Sequence, residues 1–212
     1  MIYKIKRILA LSPHIDDVEL GAGGTIAKYI EGKKEVFYVA FSTAEKSVPR
    51  GLPKNITELE VYEATRALGI PQNNLVIHKF EVRMFPNFRQ DILELLVRLR
   101  KELKPDLVLL PSLRDMHQDH HVISKEGIRA FKYTNILCYE LPWNLSNFEP
   151  FAFVVLGKHH LDKKVEAINC YQSQKHRRYA NKEFLYGLAR TRGVQADCDY
   201  AEAFEIVRWI IR

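Results

Sequence analysis

Cysteine is scarce: Cys138, Cys170 and Cys198 are the only three in 212 residues, and no pair has the short spacing of a structural zinc site. An odd count of distant thiols argues against a disulfide framework and reads as buried or incidental side chains. Long apolar runs are also missing. None approaches the ~18 residues that a bilayer span needs, so no membrane span is expected. The run Ile8–Leu11 follows the basic Lys4, Lys6 and Arg7, but it is too short for the h-region of a signal peptide and leads straight into polar sequence. These absences predict a cytoplasmic protein. Internal repeats, low-complexity tracts and Gly-, Ser- or Pro-rich linkers are absent too, so 1–212 is expected to form a single domain. The formal charge is +6, but the basic residues are spread along the chain, with one local cluster at Lys175-His176-Arg177-Arg178. No zinc knuckle or aromatic RNP-type pattern accompanies them, and no nucleic-acid partner is expected.

What is present is an alternation of short apolar strands and amphipathic helices. Ile8–Leu11, Glu35–Phe41, Leu75–His78, Leu107–Leu110 and Ile136–Leu141 read as strands. Thr25–Glu31, Ile56–Leu68, Phe88–Leu103 and His120–Lys132 read as helices, the third with a stripe at Ile92, Leu95, Leu96 and Leu99. This pattern predicts an α/β fold: a Rossmann-like, mostly parallel sheet with helices on both faces. Beyond Trp143 a C-terminal α/β elaboration is expected, with strands at Phe151–Leu156 and Ala203–Val207 and helices at Leu161–Ser173 and Lys182–Arg190. In such sheets ligands sit beyond the carboxyl ends of the strands, where strand order changes. Two loops qualify: Ser12–Glu19 after the first strand and Pro111–His121 after the fourth.

Those two loops carry the chemistry. The first reads Pro13-His14-Ile15-Asp16-Asp17-Val18-Glu19, one imidazole and three carboxylates directly after an apolar strand. Crowded carboxylates repel one another and cost free energy when buried. A divalent cation resolves that conflict and takes imidazole readily. The second reads Asp115-Met116-His117-Gln118-Asp119-His120-His121, with His117 and His120 three apart. A His and an Asp from one loop and a distant His from the other, with water in the fourth position, form an open set of the kind catalytic zinc uses. The neighbouring Asp remains free to act as a base. Gly21, Gly23 and Gly24 lack the order of a phosphate loop and read as a close-packed helix start.

The segment Leu11–Ala27 (LSPHIDDVELGAGGTIA) and Asp115–His120 (DMHQDH) resemble the PIG-L/LmbE-like family of zinc-dependent N-acetylsugar deacetylases, with weaker matches at Tyr171–Gln174 and Tyr200–Phe204. The resemblance implies that His14, Asp17 and His120 hold one Zn2+ per chain, with other divalent metals not excluded. It implies Asp16 as general base and His117 as the residue that stabilises the oxyanion or protonates the leaving amine, a cationic His117 being expected. Asp115, Asp119 and Glu202 are expected in support of the ligands, and Arg83, Trp143, Arg190 and Tyr200 around the substrate, together with the loop Ser42–Asn55. Two departures stand out: Asn55-Ile56-Thr57-Glu58 where the family often has an Arg, which bears on substrate recognition, and Gln118 where Pro is common. The implied activity is hydrolysis of the N-acetyl amide of an N-acetylhexosamine-containing small molecule. The alternatives are another small-molecule amide, or a non-catalytic metal-containing sugar binder whose site a fourth protein ligand would close. Homo-oligomerisation is left open.

Overall fold

The computed structural model describes residues 5–211. β1 (Arg7–His14) extends the apolar run through Ser12 and Pro13 to His14, and all but its first residue is buried. Its side chains alternate between two cores, Ile8 and Ala10 toward one and Leu9 and Leu11 toward the other. That is the mark of a strand covered on both faces. β2 (Glu35–Ser42), β3 (Leu75–Ile77), β4 (Leu107–Pro111) and β5 (Asn135–Tyr139) join β1 in parallel. β7 (Tyr200–Arg208) runs antiparallel beside β5, and β6 (Ala152–Leu156) antiparallel beside β7. The sheet order is β3-β2-β1-β4-β5-β7-β6.

Helices cover both faces. α1 (Asp17–Glu31), α2 (Ile56–Leu68), α5 (Lys158–Asn169) and α6 (Lys182–Gln195) contribute Ile26, Val61, Ile168 and Leu185 to the core shared with Ile8 and Ala10. α3 (Arg89–Leu103) and α4 (Gln118–Ala130) contribute Leu96 and Ile123 to the other. The architecture is therefore the expected mostly parallel, Rossmann-like α/β domain, and its C-terminal part adds two strands to the same sheet. Among the described residues, no helix is long and apolar enough to cross a membrane.

Several boundaries differ from expectation. α1 begins at Asp17, not Thr25, so Gly21, Gly23 and Gly24 lie inside the helix rather than before it. Glycine weakens a helix interior by roughly 1 kcal/mol relative to alanine, and here close packing offsets that cost. A Cβ on Gly21 would stand 2.3 Å from Cδ2 of Tyr139, and one on Gly24 would stand 2.6 Å from a methyl of Leu156. α4 begins at Gln118 with His117 as its N-cap, and α5 ends at Asn169, leaving Gln172–Gln174 as a separate short turn.

Tyr139 is fully buried and its hydroxyl donates to the Leu11 carbonyl at 3.0 Å, so its ring has no room to retreat from Gly21. Gly21→Ala is expected to destabilise the fold by about 1–3 kcal/mol, read as a lower midpoint in chemical denaturation. An unchanged midpoint would show that the contact yields freely.

Candidate active site

β1 and β4 are adjacent, but their connections leave to opposite sides, so the strand order reverses between them. At this crevice the carboxyl ends of both strands feed the N-termini of α1 and α4. Between β1 and α1 only Ile15 and Asp16 intervene, and Asp16 adopts a left-handed conformation (φ 84°, ψ −25°) to make the turn. Asp and Asn tolerate this region better than other non-glycine residues. The turn is tied by the His14 N–H, which donates to Asp17 Oδ2 at 2.9 Å, and by the Ser12 hydroxyl, which donates to the His14 carbonyl at 2.5 Å.

Three donor atoms converge there. His14 Nδ1 lies 3.3 Å from Asp17 Oδ2, His120 Nε2 lies 3.2 Å from the same oxygen, and the two ring nitrogens are 3.2 Å apart. A tetrahedral ion with ligand bonds near 2.1 Å would separate its ligands by ~3.4 Å, so this triangle has close to the right size for zinc. The outer ring nitrogens are each engaged by a carboxylate. His14 Nε2 is 2.9 Å from Asp119 Oδ2, and His120 Nδ1 is 2.7 Å from Asp115 Oδ2. These partners take the ring N–H groups, so in the neutral imidazoles the lone pairs face one another across the triangle. Such carboxylate–imidazole pairs orient metal-binding histidines and raise their basicity.

The electrostatics point the same way. Burial disfavours a charged His120, yet Asp17 and Asp115 outweigh it and push its pKa up to about 10. His14 is also raised, burial again being overcome by Asp119 and Asp17. The field of the site therefore calls for positive charge at this point, which a proton or a metal ion can supply. Asp16 keeps partial exposure at the cavity, but withdrawal from bulk water, together with Asp17 and Glu19, raises its pKa well above the usual carboxylate value.

His117 also lies close, its ring centroid 4.8 Å from that of His14 and 4.6 Å from that of His120. Its Nδ1 accepts the Asp119 N–H at 3.2 Å as the cap of α4. Burial and the two neighbouring imidazoles lower its pKa to about 4. The cationic His117 expected from the sequence is therefore corrected: protonating Nδ1 would break the cap, and the neutral ring carries its proton on Nε2. His14, His117 and His120 form a group whose ligand atoms lie within 4.8 Å of one another. We favour Asp17 over His117 as the third donor because Asp17 Oδ2 completes the tighter triangle. A second such group, Glu31 with His159 and His160, is an ill-suited ligand set. There His160 Nδ1 accepts the Gly157 N–H, so its Nε2 proton is committed to Glu31.

The remaining expected residues divide. Asp119 also accepts the Arg83 N–H at 2.6 Å and the Phe85 N–H at 3.2 Å, and Asp115 accepts the His117 N–H at 2.8 Å. Each thus joins a ring nitrogen of the histidine pair to nearby backbone N–H groups. Arg83 serves through its backbone, held at φ 70°, and its side chain is exposed off the cavity wall. Trp143 does line the cavity, as do Ala44 and Ser47 from the loop 42–55. Glu202 does not support the ligands: it pairs with Lys164 at 2.6 Å and accepts the N–H groups of Gly24 and Thr25 inside α1. Arg190 and Tyr200 are not on the cavity wall. Arg190 binds Asp199 at 2.6 Å and lies over the Tyr200 ring, beside the small cluster of Leu156, Leu161 and Ala189. Conversely, Gln174, Arg177 and Tyr179 line the cavity from a segment that spacing alone did not implicate. Tyr171–Gln174 was the nearest signal.

If Asp115 and Asp119 orient the imidazoles, Asp115→Ala and Asp119→Ala will each weaken binding of a divalent ion by about 10–100-fold. Calorimetric titration with zinc measures this, and affinities equal to the unsubstituted protein would show that the carboxylates do not act through the histidines.

Comparisons with known proteins bear on the fold and the family. The chain is 22% identical over 191 residues to the diacetylchitobiose deacetylase of Thermococcus kodakarensis, covering 80% of this chain and 70% of that one. Its fold matches the N,N'-diacetylchitobiose deacetylase of Pyrococcus horikoshii with a TM-score of 0.78 and 22% identity, over 96% of this chain and 84% of the other. It matches the 4-carboxy-2-hydroxymuconate hydratase of Pseudomonas putida equally well, with a TM-score of 0.79 and 23% identity over 98% of each chain. One scaffold therefore carries proteins named for different reactions. Residues 9–131, which hold both motif loops, match the PIG-L family described as GlcNAc-PI de-N-acetylase, and the chain belongs to that family.

Proposed function

We propose that this chain hydrolyses the N-acetyl amide of an N-acetylhexosamine-containing substrate, releasing acetate and a free amine, with 1–212 acting as one deacetylase domain. The observation that carries this reading is the triangle of His14 Nδ1, Asp17 Oδ2 and His120 Nε2, flanked by an Asp16 carboxylate that none of the triangle's contacts requires. In our reading those three residues hold one divalent cation, zinc by the nitrogen and oxygen character and spacing of the donors. When bound, such a cation polarises an acyl oxygen and acidifies water.

The chain's own groups then divide the work. Asp16, aimed by its left-handed turn and made basic by desolvation, takes a proton from the attacking water. The C–N bond breaks as the same carboxyl returns that proton to the amine nitrogen. His117, neutral with its proton on Nε2, donates a hydrogen bond to the negative charge developing on the acetyl oxygen. Asp115 and Asp119 keep both ligand imidazoles turned inward. Trp143, stacked on Tyr179 with ring centroids 3.7 Å apart, offers an aromatic wall of the kind sugars pack against. Relatives named as deacetylases of acetylated sugars support this substrate class over other small amides.

Acetate release from N-acetylglucosamine and its conjugates, assayed with added zinc and with chelator, tests the reaction. Metal-dependent release is expected, whereas turnover that survives exhaustive chelation would contradict the reading. Asn is at home in the left-handed turn, so Asp16→Asn is expected to keep the fold and bind zinc normally while losing about 10²–10⁴-fold in kcat. Retained turnover in that variant would rule out Asp16 as the base. His117→Ala is expected to cost about 10²–10³-fold in kcat with metal content unchanged; loss of metal instead would make it a ligand.

A further inference from the structure

The segment between α5 and α6, Cys170–Asn181, forms a strap along one side of the cavity, and buried carboxylates anchor it. The Tyr171 hydroxyl donates to Glu19 at 2.7 Å, and Glu19 also receives the Tyr38 hydroxyl at 2.6 Å. Ser173 donates its N–H at 2.9 Å and its hydroxyl at 2.5 Å to Glu60, a carboxylate on the buried side of α2. At the far end Tyr179 stacks on Trp143 with the rings 4° from parallel, and Asn181 caps α6 by accepting the Phe184 N–H. Backbone bonds from Arg177 N–H to Gln174 and from Ala180 N–H to Arg177 close the turn between the anchors. The backbone that carries Arg177 is therefore fixed by buried carboxylates on α1 and α2.

The Arg177 side chain is treated differently. It lies on the cavity wall and, among the described residues, makes neither an ion pair nor a side-chain hydrogen bond. Arg50, Arg83, Arg98 and Arg178 likewise have no carboxylate partner among the described residues, but none of them lines the cavity. The other ionisable groups on the wall are the carboxylates and imidazoles of the reaction centre and the Tyr179 phenol, so Arg177 is its one permanent cation among the described residues. The cavity encloses about 250 Å³, below the ~300–1,000 Å³ of sites that enclose drug-sized ligands. One sugar unit fits such a space, and a substituent on it reaches the rim, part of which the strap forms through Gln174, Arg177 and Tyr179. A guanidinium offers a planar fork of donors matched to phosphate or carboxylate, and the net charge of +6 steers anions toward the protein.

We propose that Arg177 is a specificity residue that binds an anionic group, phosphate or carboxylate, attached to the N-acetylhexosamine, so that anionic sugar conjugates are preferred over neutral oligosaccharides. This rests on the deacetylase reading above. The strap anchors fix the backbone of Arg177, an exposed residue on the cavity wall, so that its guanidinium is available to a substituent on a sugar bound there.

The test compares kcat/KM of the zinc-loaded protein for N-acetylglucosamine 1-phosphate, N-acetylmuramic acid and neutral N,N'-diacetylchitobiose. At least one anionic substrate should exceed the neutral one by about tenfold or more, as a charged hydrogen bond allows, and which one does so separates phosphate from carboxylate. Arg177→Ala should bring that ratio down to about one through KM, and Arg177→Lys should restore part of it. Arg178→Ala, in the same basic cluster but off the cavity wall, should leave the ratio unchanged. Equal kcat/KM for all three substrates, or an equal loss on all three in Arg177→Ala, would overturn the proposal. If no substrate releases acetate, the deacetylase reading fails separately. Calorimetric binding of glucosamine 1-phosphate and of glucosamine, to the native protein and to Arg177→Ala, then decides the anion site by itself. A preference for the phosphate sugar that vanishes in the variant supports it, and equal binding in both proteins refutes it.

Discussion

Buried negative charge that demands a cation is the constraint on which the rest of this structure depends. Asp17, Asp115 and Asp119 are buried within hydrogen-bond reach of two imidazoles at the carboxyl ends of β1 and β4, with Asp16 beside them. Carboxylates so placed repel one another and lose hydration that a protein interior does not replace. Two helix N-termini lean on the site and offset part of that charge. The rest calls for positive charge between His14 and His120, which a proton or a metal ion can supply, and the inner ring nitrogens face that point.

The fold supplies the geometry with little freedom left over. Parallel strands covered on both faces place the ends of β1 and β4 side by side at the reversal of strand order, the usual ligand crevice of open α/β sheets. The turn after β1 is so short that Asp16 goes left-handed between the strand and Asp17, the first residue of α1. The cap of α4 engages Nδ1 of His117 with the Asp119 N–H and leaves Nε2 as its other ring nitrogen. The C-terminal elaboration is part of the same device. It completes the sheet with β7 and β6 and returns through the strap to form one wall of the cavity.

The alternation of strands and helices was legible because the apolar runs are short and cleanly bounded. α2 has its expected limits of Ile56 and Leu68, and β2 extends one residue past its expected end. Both motif loops were legible because so many carboxylates and imidazoles directly after buried strands exceed what turns and helix caps need. The start of α1 was not, since glycines read as helix breakers until Tyr139 and Leu156, far away in sequence, are seen packed against them. Glu202, Arg190 and Tyr200 drew attention, but Glu202 pairs with Lys164 and with backbone N–H groups of α1, and Arg190 with Asp199, and no local pattern reveals such pairings. Arg177 stood in plain view within a basic cluster. Its place on the cavity wall depends on Glu19 and Glu60, which act from other elements of the fold.

The account turns on one ion at one place, and a crystal structure of the zinc-loaded protein with anomalous diffraction at the zinc edge tests it most directly. The account predicts a single peak bonded to His14 Nδ1, Asp17 Oδ2 and His120 Nε2 at ~2.0–2.2 Å, with a fourth position not filled by protein. No peak between these atoms, or a site closed by His117 as a fourth protein ligand, would contradict it.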